Sequence, residues 1–353
     1  MDCNENRKQK LIEYFASGCK QDKLFGLELE HFVVDVDTGR SISYEDGIEK
    51  LLLAVAPLFG EPILSQGRII GITGKNADIT LEPAAQLEVS IDPYDDIAQI
   101  KQTYDKFISI LTPALNDLNA KFVCLGYHPV SKIDELPLIP KERYNYMYSH
   151  FKNTGTCGKY MMKGSAATQV SIDYFSEDDF KKKFRVANIL GPLFSFKYDN
   201  TPVFEGKPAP HRMIRTHIWN NVDPARSMVV PKSLDGDFGF KEYAEYALSV
   251  PTVFETEEWC VEHTLSMLFP DVRLKTNIEI RMVDSIPIEQ ALEYVTLINN
   301  IFYDEVKLND LYNKTIGVKN ADVATAKQEL IKNGEDAVVY GRKVKEWLYE
   351  EFK

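Results

Sequence analysis

The 353-residue sequence predicts an α+β fold, α/β in the broader sense, built on a mainly antiparallel sheet with one working face. Two observations lead there. Helical and strand patterns are mixed along the chain, yet the strands alternate apolar and polar residues instead of reading as fully buried runs. And the polar positions of several strands repeatedly carry Glu, Gln or Arg, which points to one concave polar cavity on the sheet.

Taken in order, residues 4–17 have apolar residues at helical spacing and predict a leading helix. Residues 26–36 predict a strand, with Leu27, Leu29, His31 and Val33 on one face and Glu28 and Glu30 on the other. His31 falls on the apolar side and is expected to be a hydrogen-bonded core residue. Residues 45–59 read as an amphipathic helix stopped by Gly60 and Pro62. Residues 68–73 and 79–91 are expected to be two strands around a turn, with Glu82, Gln86 and Glu88 sharing a face. A helix follows Pro93 to about Leu118, then a short strand at 121–127 and a helix at 140–151 with Tyr144 and Tyr148 on one side. Residues 168–174 predict a strand presenting Gln169, Ser171 and Asp173. The helix at 177–194 carries a basic run, Lys181 to Lys183, expected to be a solvated face. Residues 213–220 and 274–283 are expected to be strands, the first presenting Arg215 and His217, the second Asn277, Glu279 and Arg281. Three helices are expected at 288–306, 322–331 and 337–352.

Composition narrows the function classes. Net charge is −12, from 41 basic and 53 acidic residues, which argues against nucleic acid or an anionic membrane as the main partner. No apolar run reaches transmembrane length. The polar start lacks a signal-peptide core. The five scattered cysteines have no paired spacing for a zinc site or disulfide framework, and a reducing cytoplasm is expected. Chemically, paired carboxylates on one strand face repel unless cations sit there. Hard cations such as Mg2+ take oxygen ligands and bridge phosphates. Arginines neutralise a phosphoryl group in transfer or clamp a carboxylate. A face bearing both is expected where ATP activates an acid. No phosphate-loop, kinase or dinucleotide fingerprint is present.

The motifs resemble a known family. Gly26-Leu27-Glu28-Leu29-Glu30 resembles the opening GxExE strand of plant and proteobacterial glutamate–cysteine ligases, in the glutamine-synthetase-like superfamily. Leu81 to Glu88 resembles LEPGGQxE, Pro140 to Tyr144 resembles PKGRY, and Met161 to Asp173 resembles MMxRTxTxQVNLD. Glu205 to Pro208, Arg215 to Trp219, Asp223 to Arg226 and His263 to Arg281 resemble EGKP, RSHIW, DPxR and HxxTxFPxVRLKxxxExR. The match runs in order over most of the chain.

The resemblance implies a funnel-shaped antiparallel sheet with helices outside, and a single catalytic domain over residues 1–353. It implies an ATP- and Mg2+-dependent carboxylate–amine ligase that joins the glutamate γ-carboxylate to the cysteine amino group through an acyl phosphate, the first step of glutathione synthesis. By position, Glu28, Glu30, Glu82, Glu88 and Glu279 would hold metal, and Gln169, Ser171 and Arg281 would meet the nucleotide. Arg281, Arg215 and Glu279 would be catalytic, and Arg143, Tyr144, Arg215 and Trp219 would shape the substrate pocket. His217, His263 and Tyr144 stay open between catalytic and structural roles. Three departures stand out: Ala84-Ala85 replaces paired glycines, Gly164 replaces an arginine, and Ser171 replaces an asparagine. They bear on which acid or amine is accepted. The partners implied are small-molecule amino acids, with the chain a monomer or homodimer. Alternatives are the same chemistry with another amine, a phosphagen-kinase-like phosphotransferase, or a non-catalytic metal or amino-acid binder.

Overall fold

A computed structural model describes residues 3–352. Strand β1 (Phe25–Asp35) is the axis of the molecule. At 11 residues it is long enough to serve several neighbours. Its first half pairs with β5 (Leu87–Tyr94) on one side and β7 (Ala167–Ile172) on the other. Its last four residues pair with β6 (Ala120–Val123). The sheet extends from β5 through β4 (Ala77–Leu81), β3 (Arg68–Gly74) and β2 (Gly60–Ser65). Beyond β7 lie β9 (Ile278–Asp284) and β8 (Val272–Leu274). All pairings in this nine-stranded sheet are antiparallel.

The apolar face follows from the alternation. Leu27, Leu29, Val170, Ile172, Ile278 and Ile280 are buried in one core, each side chain worth about 1.5–3 kcal/mol of burial. Helices cover that face. The helices begin with α1 (Cys3–Ser17), α2 (Glu49–Phe59) and α3 (Ile97–Asp117), the last capped where Asp96 accepts from the Ala98 N–H. Two shorter ones, α4 (Glu142–Phe151) and α5 (Gly158–Gly164), lead to the central α6 (Glu177–Lys197), which packs on β9. After α7 (Ile214–Trp219), α8 (Phe240–Ser249) and α9 (Val261–Ser266) come α10 (Ile288–Phe302), α11 (Glu305–Lys314), α12 (Asn320–Asn333) and α13 (Val344–Glu350). None is long and apolar enough to cross a membrane, among the described residues.

Several expected elements differ. Residues 213–220 form a helix, not a strand. Met213 enters it at φ 54°, ψ 45°, which no strand tolerates, and the buried pair Ile214 and Ile218 has helical spacing. The run 68–91 holds three strands, because residues 82–86 turn back, with Ala85 at φ 68°. The run 274–283 breaks at Lys275-Thr276-Asn277 into a hairpin. The helix expected at 288–306 stops at Phe302, and Asp304 caps a new one. The first part of 337–352 is a small hairpin, and helix begins only at Val344 with α13. Lys183 is not solvated. It is fully buried against Asp179, its ammonium over the Phe175 and Tyr303 rings.

Candidate active site

Strand register brings the carboxylates together. Glu30 lies opposite Glu88 on β5, and Glu28 lies opposite Gln169 on β7. Glu82 joins them from the β4–β5 turn, and all five line a cavity of about 500 Å³. Gln169 bridges two signs of charge: its Nε2 donates to Glu30 at 3.0 Å and its Oε1 accepts from Arg281 Nη1 at 2.6 Å. Glu30 also accepts from the Ala167 N–H at 2.9 Å, and Glu88 accepts from Thr80 Oγ1 at 2.7 Å.

The carboxylates are under electrostatic stress. Burial, with the charges of Glu88 and Glu279, pushes Glu28 up to about 7. Burial and Glu82 push Glu88 up to about 6. Burial raises Glu82, and burial with Glu82 and Glu88 raises Glu30 well above the ordinary carboxylate range. Glu279 behaves oppositely. Burial alone would raise it, but Arg273, Lys275 and Arg281 outweigh that and hold it far below the usual value. It bonds Arg273 Nε and the Lys275 ammonium, with Arg281 at 3.6 Å.

The basic wall is built from helices and loops. Arg215 is buried on α7 with its guanidinium 5.7 Å from the centre of the Trp219 ring. Among the described residues, Arg215 Nε and Trp219 Nε1 are buried without partners. Arg143 donates to the Ser266 carbonyl, and the Tyr144 hydroxyl to the Leu81 carbonyl. Lys141 lies 4.7 Å from the centre of the Tyr144 ring.

Eleven of the twelve residues expected at the site gather in and around this cavity, Glu279 through its arginine and lysine partners. Ser171 does not reach the lining. It pairs with Gly26 and Glu279 in the sheet. Gln86 also turns away, accepting from the Ala84 N–H and donating to the Ser165 carbonyl. His217 is exposed, since a helix sends it away from Arg215, and His263 bonds the Phe254 carbonyl. His31 is the expected core histidine, hydrogen-bonded to Tyr104 and the Leu87 carbonyl. The readings above missed the roles of Arg273, Lys275 and Lys141. All three lie in quoted motifs, and Arg273 and Lys275 alternate along one strand end as Glu279 and Arg281 do.

Among the described residues no three His, Cys, Asp or Glu side chains already close around one ion position. The donor set fits a hard cation nonetheless: carboxylate oxygens only, each made reluctant to ionise by burial and most by a like neighbour. The Gly164 departure has a structural reason. A Cβ there would come within 2.4 Å of the Tyr127 ring, which stacks on Phe204 at 4.3 Å. No arginine fits. Ala85 keeps a left-handed backbone despite its Cβ.

The same architecture occurs in the crystal structure of glutamate–cysteine ligase from Francisella tularensis in complex with AMP. It aligns with a TM-score of 0.59 at 11% identity, over 94% of this chain and 77% of that one. The two proteins therefore share a fold, which here carries a polar cavity on an antiparallel sheet. A model of glutamate–cysteine ligase family 2 matches residues 24–348, and the chain belongs to that family. The chloroplastic glutamate–cysteine ligase of Arabidopsis thaliana is 30% identical over 360 residues, covering 92% of this chain and 67% of the relative. That of Brassica juncea is 29% identical over 360 residues, covering 92% and 68%. The chain thus spans about two thirds of these relatives. Their chloroplast location overturns the cytoplasmic expectation drawn from composition. Reduced cysteines do not single out the cytosol. Cys19, Cys124, Cys157 and Cys260 are free here.

Proposed function

We propose that this chain is an ATP-dependent ligase forming γ-glutamylcysteine, acting as a single catalytic unit. A γ-carboxylate oxygen of glutamate attacks the γ-phosphorus of ATP and ADP leaves. The cysteine amine then attacks the acyl phosphate carbon, phosphate departs, and the nitrogen loses a proton. The observation that carries this reading is the division of one cavity in a family 2 chain. Glu28, Glu30, Glu82 and Glu88, without ion-pair partners among the described residues, share it with Arg143, Arg215, Arg273 and Arg281.

The residues take roles from that division. Glu28, Glu30, Glu82 and Glu88 would hold Mg2+, which would offset the triphosphate charge when bound, and Glu279 would complete the set only by giving up Lys275. Arg281, oriented by Gln169, faces the phosphoryl group and stabilises charge that grows on it. Arg215 Nε and Trp219 Nε1, both lacking partners, offer donors to a substrate carboxylate. Arg143 and Tyr144 shape the pocket between them. A different amine acceptor is a second reading, favoured by one observation: Tyr127 occupies the space a family arginine would need at Gly164. No observation favours the phosphotransferase or non-catalytic readings.

The test is incubation with ATP, Mg2+, glutamate and a panel of amines, followed by mass spectrometry. γ-Glutamylcysteine as the main product is expected. Another γ-glutamyl amide would move the assignment to the second reading, and phosphate transfer without an amide would end both.

A further inference from the structure

Lys327 belongs to α12, which packs on α6 in a layer beyond the sheet. Its ammonium nevertheless reaches the back of the candidate site. It donates to Asp271 Oδ2 at 2.5 Å and Asn220 Oδ1 at 3.1 Å, with the Lys327 and Asp271 side chains only 4% and 9% exposed. A buried ion pair is a poor device for stability, because desolvation cancels much of the attraction. Its location suggests another use. Asn220 caps the end of α7, the helix that carries Arg215 and Trp219. Asp271 accepts the Arg281 N–H through its carbonyl at 3.0 Å and donates its own N–H to the Met228 carbonyl at 2.8 Å. One ammonium therefore ties the Arg215–Trp219 helix to the strand that carries Arg281.

A small cavity marks the junction. It is lined by Lys327, Asp271, Arg215, Trp219 and Arg281, and it adjoins the large cavity through the last three. Arg215 Nε and Trp219 Nε1 lack partners at this junction. Buried donors without acceptors are unfavourable, and a short helix free to tilt would relieve them. The bond to Asn220 holds the end of that helix.

We infer that Lys327 is a positioning residue for the acid substrate, holding α7 so that Arg215 and Trp219 meet its carboxylate. This rests on the ligase reading above. Lys327 bonds the end of α7 directly through Asn220, whereas Arg281 is held by the Asp271 backbone, so loss of Lys327 weakens recognition of the acid far more than of ATP.

The experiment compares the full chain with Lys327→Met, Lys327→Arg and Asn220→Ala, measuring kcat and separate KM values for glutamate and ATP. Calorimetry gives glutamate affinity without turnover. For Lys327→Met, the glutamate KM and Kd should rise about tenfold while the ATP KM stays within about twofold, because a small tilt of the helix misplaces both donors. Lys327→Arg should recover part of the loss. Asn220→Ala, which removes one neutral hydrogen bond, should shift glutamate alone by about two- to threefold. It decides the matter if Lys327→Met does not fold. Unchanged glutamate values in Asn220→Ala and in any folded Lys327→Met, or equal rises for both substrates, overturn the positioning role. A wild type without glutamate-dependent ATP turnover overturns the ligase reading, and this inference with it.

Discussion

Glu28 and Glu279 are the same residue type on two strands of one sheet, yet their surroundings are opposite. Glu28 lines the cavity with Glu30, Glu82 and Glu88, and burial with the charges of Glu88 and Glu279 pushes its carboxyl up to about 7. Glu279 sits among Arg273, Lys275 and Arg281, which pull it well down. In the carboxylate half the nearby cations only partly offset burial and like charge, and on the proposed reading a bound cation would supply the rest. In the basic half, one carboxylate answers three cations. On the proposed reading a carboxylate in the first half would serve as a ligand; in the second it holds Arg273, Lys275 and Arg281 in place.

The comparison breaks most sharply on substitution. Glu28→Gln should lower kcat by about a hundredfold or more, because a ligand charge is lost, while the thermal midpoint holds or rises as repulsion is relieved. A rate near wild type would remove Glu28 from the metal site. Chelation should likewise stop phosphate release, and undiminished turnover in excess chelator would dismiss the cation altogether.

Glu279→Gln sharpens the contrast. It leaves three cations crowded without their counter-charge, so activity and fold should both suffer, at about 3–5 kcal/mol of stability. Denaturant unfolding beside the rate assay checks this. Loss of activity with full stability would put Glu279 with the Glu28 group.

The arginines divide the basic half further. Arg281→Lys should lower kcat more than it changes either KM, since a point charge cannot reproduce the fork that meets Gln169 and, on the proposed reading, would meet the phosphoryl group. Arg215→Lys should chiefly raise the glutamate KM. The reverse pattern would exchange the two roles.

The smallest effect is expected at the turn joining β4 to β5 in the carboxylate half. Ala85 carries a Cβ at φ 68°, so Ala85→Gly should raise stability by about 0.5–1 kcal/mol. Thermal unfolding measures it, and a decrease would mean the turn does not hold the strain ascribed to it.

What the sequence determined by itself was whatever repeats over two or four residues. Alternation placed Glu28 and Glu30 on one face, sent His31 into the core, and marked the antiparallel sheet, because side-chain direction along a strand is local geometry. The motif order pointed to the family before any fold was in view. The same alternation misled at Arg215 and His217, where a helix entered through a left-handed Met213 carries polar residues at strand-like spacing. Only the tertiary structure decided which charges each carboxylate meets. Arg273 reaches Glu279 because Lys275-Thr276-Asn277 turns the chain back, and Lys327 reaches Asp271 from 56 residues away. Those pairings depend on which elements pack together. Charge balance in a buried cavity is set by neighbours in space, and sequence separation does not encode them.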